Sequence, residues 1–175
     1  MRCPVHMLRM PSESLVLRLG SPILDREMYR PDHATHTATT AHHDDRVQFL
    51  VVGDESSLTE LEAELALLPL CARGRVFVEV GDESQIAPLA TPMRMTVTWL
   101  VRSRRSGRPG TGELCARGEA GARAVRAWCD EMLCDGPGET RAIVTGGFAL
   151  ATEVRDHLVH AVGMSADAVA SPSFR

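Results

Sequence analysis

From Phe49 to Val52 the chain carries four apolar residues in a row, and from Leu58 its apolar positions recur every three or four residues. The first pattern predicts a strand buried on both faces, and the second an amphipathic helix. Leu58, Leu61, Leu65 and Leu68 form the helix stripe, with Glu60, Glu62 and Glu64 on the other faces. Ser57, Leu58, Thr59 and Glu60 match a capping box, which predicts the helix start; Pro69 predicts its end. The polar stretch between them, Gly53 to Ser57, then joins the C-terminal end of a strand to the N-terminal end of a helix.

The alternation continues. Val76 to Val80 reads as a second strand, closed by the polar turn Gly81 to Ser84, and Met95 to Val101 as a third. Residues 103–112, rich in Arg, Ser, Gly and Pro, read as a loop. Gly121, Val125, Trp128 and Met132 mark one face of a second helix, from about Glu119 to Leu133. After a break at Asp135 to Gly138, Ala142 to Val144 is a short fourth strand ending in Thr145, Gly146 and Gly147. A third helix follows, with Leu150, Val154, Leu158 and Ala161 inward and Gly163 as its C-terminal stop.

This order predicts an α/β fold, a doubly wound and mostly parallel sheet with helices on both faces. Right-handed crossovers place all strand C-termini on one edge. That edge then collects Gly53 to Ser57, Gly81 to Ser84, Arg102, and Thr145 to Gly147.

The first 46 residues differ. Leu15 to Leu19 is their one strand-like run, and from Arg30 to Asp45 neither period appears. Residues 1–46 are therefore read as a largely disordered leader before a domain at 47–175. Five of the seven histidines lie in this leader, and four of them, His33, His36, His42 and His43, sit close together with no Cys or Glu framing them. They read as a His-rich tract, and no metal site is assigned.

Composition narrows the function classes. Apolar residues make up 44% of the 175, charged residues 24%, and the net charge is -4. That balance gives no electrostatic footprint for nucleic acid. No stretch of about 20 apolar residues exists to span a bilayer, and no signal peptide is visible. The five cysteines, Cys3, Cys71, Cys115, Cys129 and Cys134, have no C-x-x-C spacing. The expectation is a reduced, cytoplasmic protein.

The candidate chemistry sits in the two strand-to-helix turns. The first offers helix N–H groups and the hydroxyls of Ser56 and Ser57 to an anion such as a pyrophosphate. Asp54 and Glu55 oppose a phosphate there, but suit a helix dipole or ribose hydroxyls. A ligand turn and a merely capped helix remain equal alternatives, and the spacing is not G-x-G-x-x-G. In the second turn, Gly146 and Gly147 permit either close approach of a ligand or a turn with positive φ. No Ser-His-Asp or Cys-His grouping is present, so no catalytic residue is nominated.

Phe49 to Leu58, Phe77 to Val80, Val97 to Arg102, and the glycine turn before a helix carrying Arg155 together resemble the C-terminal domain of siderophore-interacting proteins. These are flavin-dependent ferric-siderophore reductases with a ferredoxin-reductase-like architecture, in which this domain is the nicotinamide-dinucleotide half. The resemblance covers residues 47 to 175. It implies NADPH or NADH as cofactor. It also implies binding by Gly53, Asp54, Glu55 and Ser56 in the first turn, Arg102 closing the third strand, and Thr145, Gly146 and Gly147 in the second turn. Two departures stand out. Ile143 and the pair Gly146-Gly147 occupy places where the family has an aromatic residue and a Gly-Glu pair. Phe174 and Arg175 only partly match its aromatic C-terminal segment.

In the family a flavin-holding β-barrel precedes this domain, and 46 residues are too few to close one. FAD is therefore not expected on this chain. A nicotinamide gives up a hydride while ferric iron accepts single electrons, a conversion made by a flavin. Two functions are carried forward. One is a stand-alone NAD(P)H-binding domain of a ferric-siderophore reductase-like system, with its flavin supplied in trans by a partner protein or as free cofactor. The other is a non-catalytic binding or regulatory module derived from that domain.

Overall fold

The computed structural model describes residues 47–172. The expectations for the leader, its histidines, Phe174 and Arg175 lie outside the described residues. Five strands form one all-parallel sheet in the order β3-β2-β1-β4-β5. They are β1 (Gln48–Asp54), β2 (Arg73–Val80), β3 (Arg94–Val101), β4 (Thr140–Val144) and β5 (Val169–Ala170). The helices are α1 (Leu58–Ala66), α2 (Glu119–Met132) and α3 (Phe148–Asp156).

Alternation along β1 splits the core in two. Leu50 and Val52 face α2 and α3, packing with Val125, Trp128, Leu150 and Val154. Val51 faces α1, packing with Leu61, Leu65, Val76 and Val78. Both layers are apolar around Leu50, Val51 and Val52, so β1 needs the continuous hydrophobic run that its sequence supplies. Each such side chain contributes about 1.5–3 kcal/mol by leaving water. The doubly wound sheet with helices on both faces is the fold expected from the sequence.

Four details differ from expectation. Ser57 occupies the N-cap of α1 but makes no side-chain bond to the helix, so the capping box does not form. Its hydroxyl instead donates to the Asp54 carbonyl and lies 3.0 Å from Thr145 Oγ1. The third helix is α-helical only to Asp156, and His157–Ala161 continues as a π-helical turn. That change of pitch turns Ala161 outward, although Leu158 stays fully buried. Met132 also faces out, half exposed at the end of α2. Finally, β5 has two residues, too few for a hydrophobic period to announce it. Gly163, with φ of 79°, ends the helix as predicted.

Candidate functional site at the reversal of strand order

The chain leaves β1 toward β2 on one side and leaves β4 toward β5 on the other, yet β1 and β4 are hydrogen-bonded neighbours. Strand order therefore reverses between them. In open α/β sheets this reversal opens a crevice beyond the strand C-termini, between helices on opposite faces. Here the crevice lies between the start of α1 and the start of α3. Neither start carries a side-chain cap.

Asp54 binds the two turns together. The strand runs on through Gly53 and Asp54, so the turn proper begins at Glu55. The Asp54 side chain is fully buried. Its Oδ1 accepts the Ser56 N–H at 2.9 Å and the Ser56 hydroxyl, while its Oδ2 accepts the Gly147 N–H at 2.8 Å. Thr145 adds a second tie, its N–H donating to the Val52 carbonyl at 2.8 Å.

The glycines serve this junction. Gly146 has φ of 109°, and a Cβ there would fall 3.1 Å from Asp54 Cγ. Of the two alternatives for the second turn, a positive φ is present at Gly146, and the group approaching it is Asp54 of the same chain. At Gly53, in extended backbone, a Cβ would meet Thr145 Oγ1 at 2.6 Å. The hydrogen at that position leaves room for Thr145 and Ser57.

Glu55 and Arg102 form a second cluster on the same edge. Arg102 donates from both terminal nitrogens to Glu55, at 2.9 and 2.7 Å, and from Nη1 to Glu79 at 3.0 Å. Arg117 also donates to Glu55, at 2.6 Å. The Arg102 guanidinium holds the Glu55 carboxyl down at about 2, against the opposing effect of burial, with Arg117 adding to the depression. The Arg102 pKa is itself raised by bonding to Glu55 first and Glu79 second, so it stays charged.

Glu79 is the residue that the sequence reading passed over. It has no exposed surface and sits in the apolar run of β2. Oε1 accepts the Gly118 N–H at 2.6 Å and Oε2 the Gly121 N–H at 2.7 Å, so the carboxylate satisfies the N-terminus of α2. One signal was available: a lone Glu inside a strand that is otherwise apolar on both faces must have buried partners.

The predicted residues thus divide. Asp54, Ser56, Thr145, Gly146 and Gly147 converge on the crevice, while the Glu55 carboxylate is held by Arg102 and Arg117. Gly53 lies beneath the crevice, while Arg102 stands one cluster away at the end of β3. Ser56 is exposed, and Gly146 and Gly147 are partly so. Beyond Gly147, Phe148 is 72% exposed and opens a cleft of about 540 Å³ that runs along Thr152 and Asp156 to His157. Burial first, and Arg126 second, lower the His157 pKa and favour neutral imidazole. A further cleft, about 560 Å³, lies between α3 and β5 and contains none of the predicted residues. There Arg155 donates to the Val169 carbonyl at 2.9 Å, tying α3 to β5.

This donor set fits an anionic dinucleotide. Two helix N-termini without side-chain caps face one crevice and the glycine pair keeps its wall low, while the Ser56 hydroxyl is already donated to Asp54. Among the described residues no group of three or more His, Cys, Asp or Glu could hold a metal. No described helix is long and apolar enough to cross a membrane.

The family model for siderophore-interacting proteins matches residues 47–174. The chain is similar in structure to the siderophore-interacting protein SipS from Aeromonas hydrophila, at 20% identity and a TM-score of 0.53. That match covers 70% of this chain and 48% of the other. A siderophore-interacting protein from Acinetobacter baumannii matches at 10% identity and a TM-score of 0.52, covering 76% of this chain and 48% of the other. Ferredoxin-NADP+ reductase from Plasmodium falciparum matches at 10% identity and a TM-score of 0.48, covering 71% and 51%. The chain spans about half the length of the solved siderophore-interacting proteins that it matches.

Proposed function

The chain belongs to the siderophore-interacting protein family, and from that premise we propose that its described domain binds NADPH or NADH for a ferric-siderophore reductase-like system of the cytoplasm. The observation that carries the reading is the crevice at the strand-order reversal, with the starts of α1 and α3 on its two sides. The first N–H groups of α1 and α3 would hold the diphosphate, since the Ser56 hydroxyl is already donated to Asp54. Exposed Phe148 offers an apolar face beside it for a ring. Asp54 orients both turns without touching the ligand, and Arg102 holds Glu55 back from the phosphates.

When bound, the dinucleotide supplies a hydride, which ferric iron cannot take directly. Reduction therefore draws on a flavin held outside residues 47–172, in a partner protein or added free. The ferric siderophore belongs to the same expectation.

A second reading has its own support. Asp54 already takes the Ser56 and Gly147 N–H groups, two donors that a phosphate would otherwise use. A binding or regulatory module that no longer takes a nucleotide would have the same internally satisfied turns.

Calorimetric titration of the folded protein with NADPH, and with NADH beside it, separates the two. Micromolar binding of either supports the dinucleotide site; no binding up to millimolar concentrations favours the module. The flavin requirement has its own test. Ferric-siderophore reduction with NADPH should depend on added flavin, and brisk reduction without any would refute that requirement.

A further inference from the structure

At the strand C-termini, Arg102 and Arg117 are paired with carboxylates. At the opposite edge, Arg94 opens β3 and Arg141 is the second residue of β4. Both are exposed, and neither has an ion-pair or hydrogen-bond partner among the described residues.

These two arginines line one cleft of about 520 Å³ whose other walls are mainly apolar, made by Val47, Phe49, Pro69 and Ala72. Arg141 is in register with Phe49 across the β1–β4 pair. Arg94 stands on the far side of β2 and β1, about 14 Å away at ordinary strand spacing. Two unpaired guanidiniums therefore flank an apolar floor. Leu70 and Met93, each more than nine-tenths exposed, adjoin the lining residues Pro69 and Arg94 in the chain. The size suits a small molecule, since ligand clefts run from about 300 to 1,000 Å³ and combine apolar walls with a few convergent polar groups. A guanidinium matches a carboxylate in shape and charge.

We propose that this cleft is a second ligand site, separate from the crevice, and that it takes an amphipathic carboxylate. The apolar body lies on Phe49, Val47 and Pro69, and the acid pairs with one of the two arginines at the ends of that floor, Arg94 or Arg141. The site needs no nucleotide and does not depend on the reading of the crevice.

Cys71 supplies a local reporter, because its free, exposed thiol lines the same cleft while the exposed thiol of Cys134 does not. The full chain would be alkylated with iodoacetamide in the presence of decanoate, and each cysteine followed by peptide mass spectrometry. Decanoate should slow alkylation at Cys71 and leave Cys134 unchanged, and decanol, which lacks the charge, should protect about tenfold less well. The double variant Arg94→Gln/Arg141→Gln changes only exposed side chains, so it should remain folded and should also lose about tenfold in decanoate affinity. NADPH titration of the same variant should match the parent protein. Equal protection by decanol, an undiminished double variant, or no protection by about 10 mM decanoate would each overturn the proposal.

Discussion

The Asp54 carboxylate accepts the backbone N–H of Gly147 at 2.8 Å across a separation of 93 residues. With its other oxygen on Ser56, it fixes the β1–α1 turn against the start of α3. The crevice is thus pre-formed by a side chain that itself has no exposed surface. Asp54 thereby positions the two turns against each other.

Replacing Asp54 by Ala should lower folding stability by about 1–3 kcal/mol, because the partly buried N–H groups of Ser56 and Gly147 lose a charged acceptor. Asn retains one acceptor oxygen and should restore part of that loss. Urea denaturation of the two variants checks the ranking. Equal stability of the Ala variant and the parent would remove Asp54 from its place as the junction.

Glu55 gives the fold an acid limb. Its pKa falls from 4.5 to about 2, chiefly through its bonds with Arg102. Its ion pairs therefore contribute fully above pH 4.5 and are lost as the pH falls toward 2. The contribution is about 2–3 kcal/mol, reduced where Arg117 reaches solvent. Glu55→Gln should be less stable than the parent at pH 7, and its stability should change less between pH 4.5 and 2. Parallel pH profiles for the two proteins would contradict the assignment.

Glu79 holds α2 by its first turn and Arg102 by its charge. Glu79→Ala should cost about 2–4 kcal/mol, since it leaves the Gly118 and Gly121 N–H groups without their acceptor and removes one of the two carboxylates on Arg102. In a Trp99→Phe background, the near-ultraviolet dichroism of Trp128, 6% exposed on α2, reports the helix. Its signal should weaken in Glu79→Ala before global unfolding begins. An unchanged Trp128 signal and an unchanged urea midpoint would show that α2 does not rely on this carboxylate.

The fold was legible because β1 and its neighbours are buried on both faces, and only continuous apolar runs satisfy that environment. The edge residues were legible too, since strand-to-helix turns must fall at strand C-termini. Their roles were not. Nothing in the local sequence shows that Asp54 bonds to Gly147 or that Ser57 turns toward Thr145 instead of capping α1, because those partners arrive from residues 145–147. Glu79 was hidden for the same reason: its partners Gly118 and Gly121 are brought to it only by the crossing of α2. The π-helical turn at His157 likewise follows from packing, which keeps Leu158 buried while the pitch changes.

Gly146 and Gly163 provide a matched pair for testing the crevice junction. Both have positive φ, 109° and 79°, so alanine is strained at either. At Gly163 nothing lies within 4 Å of a new Cβ, and the cost is the backbone alone, about 1–2 kcal/mol. At Gly146 the Cβ also meets Asp54 Cγ at 3.1 Å and Leu150 Cδ2 at 3.2 Å. Leu150 is buried in the core and Asp54 is held by Ser56, so neither can withdraw freely. Gly146→Ala should therefore cost about 3 kcal/mol or more. It should also weaken NADPH binding if the crevice holds the dinucleotide, whereas Gly163→Ala should leave binding intact. Urea midpoints and calorimetry on the two variants read both effects. Equal losses of stability would mean that Asp54 moves aside at little cost, and the junction would then be loose rather than pre-formed.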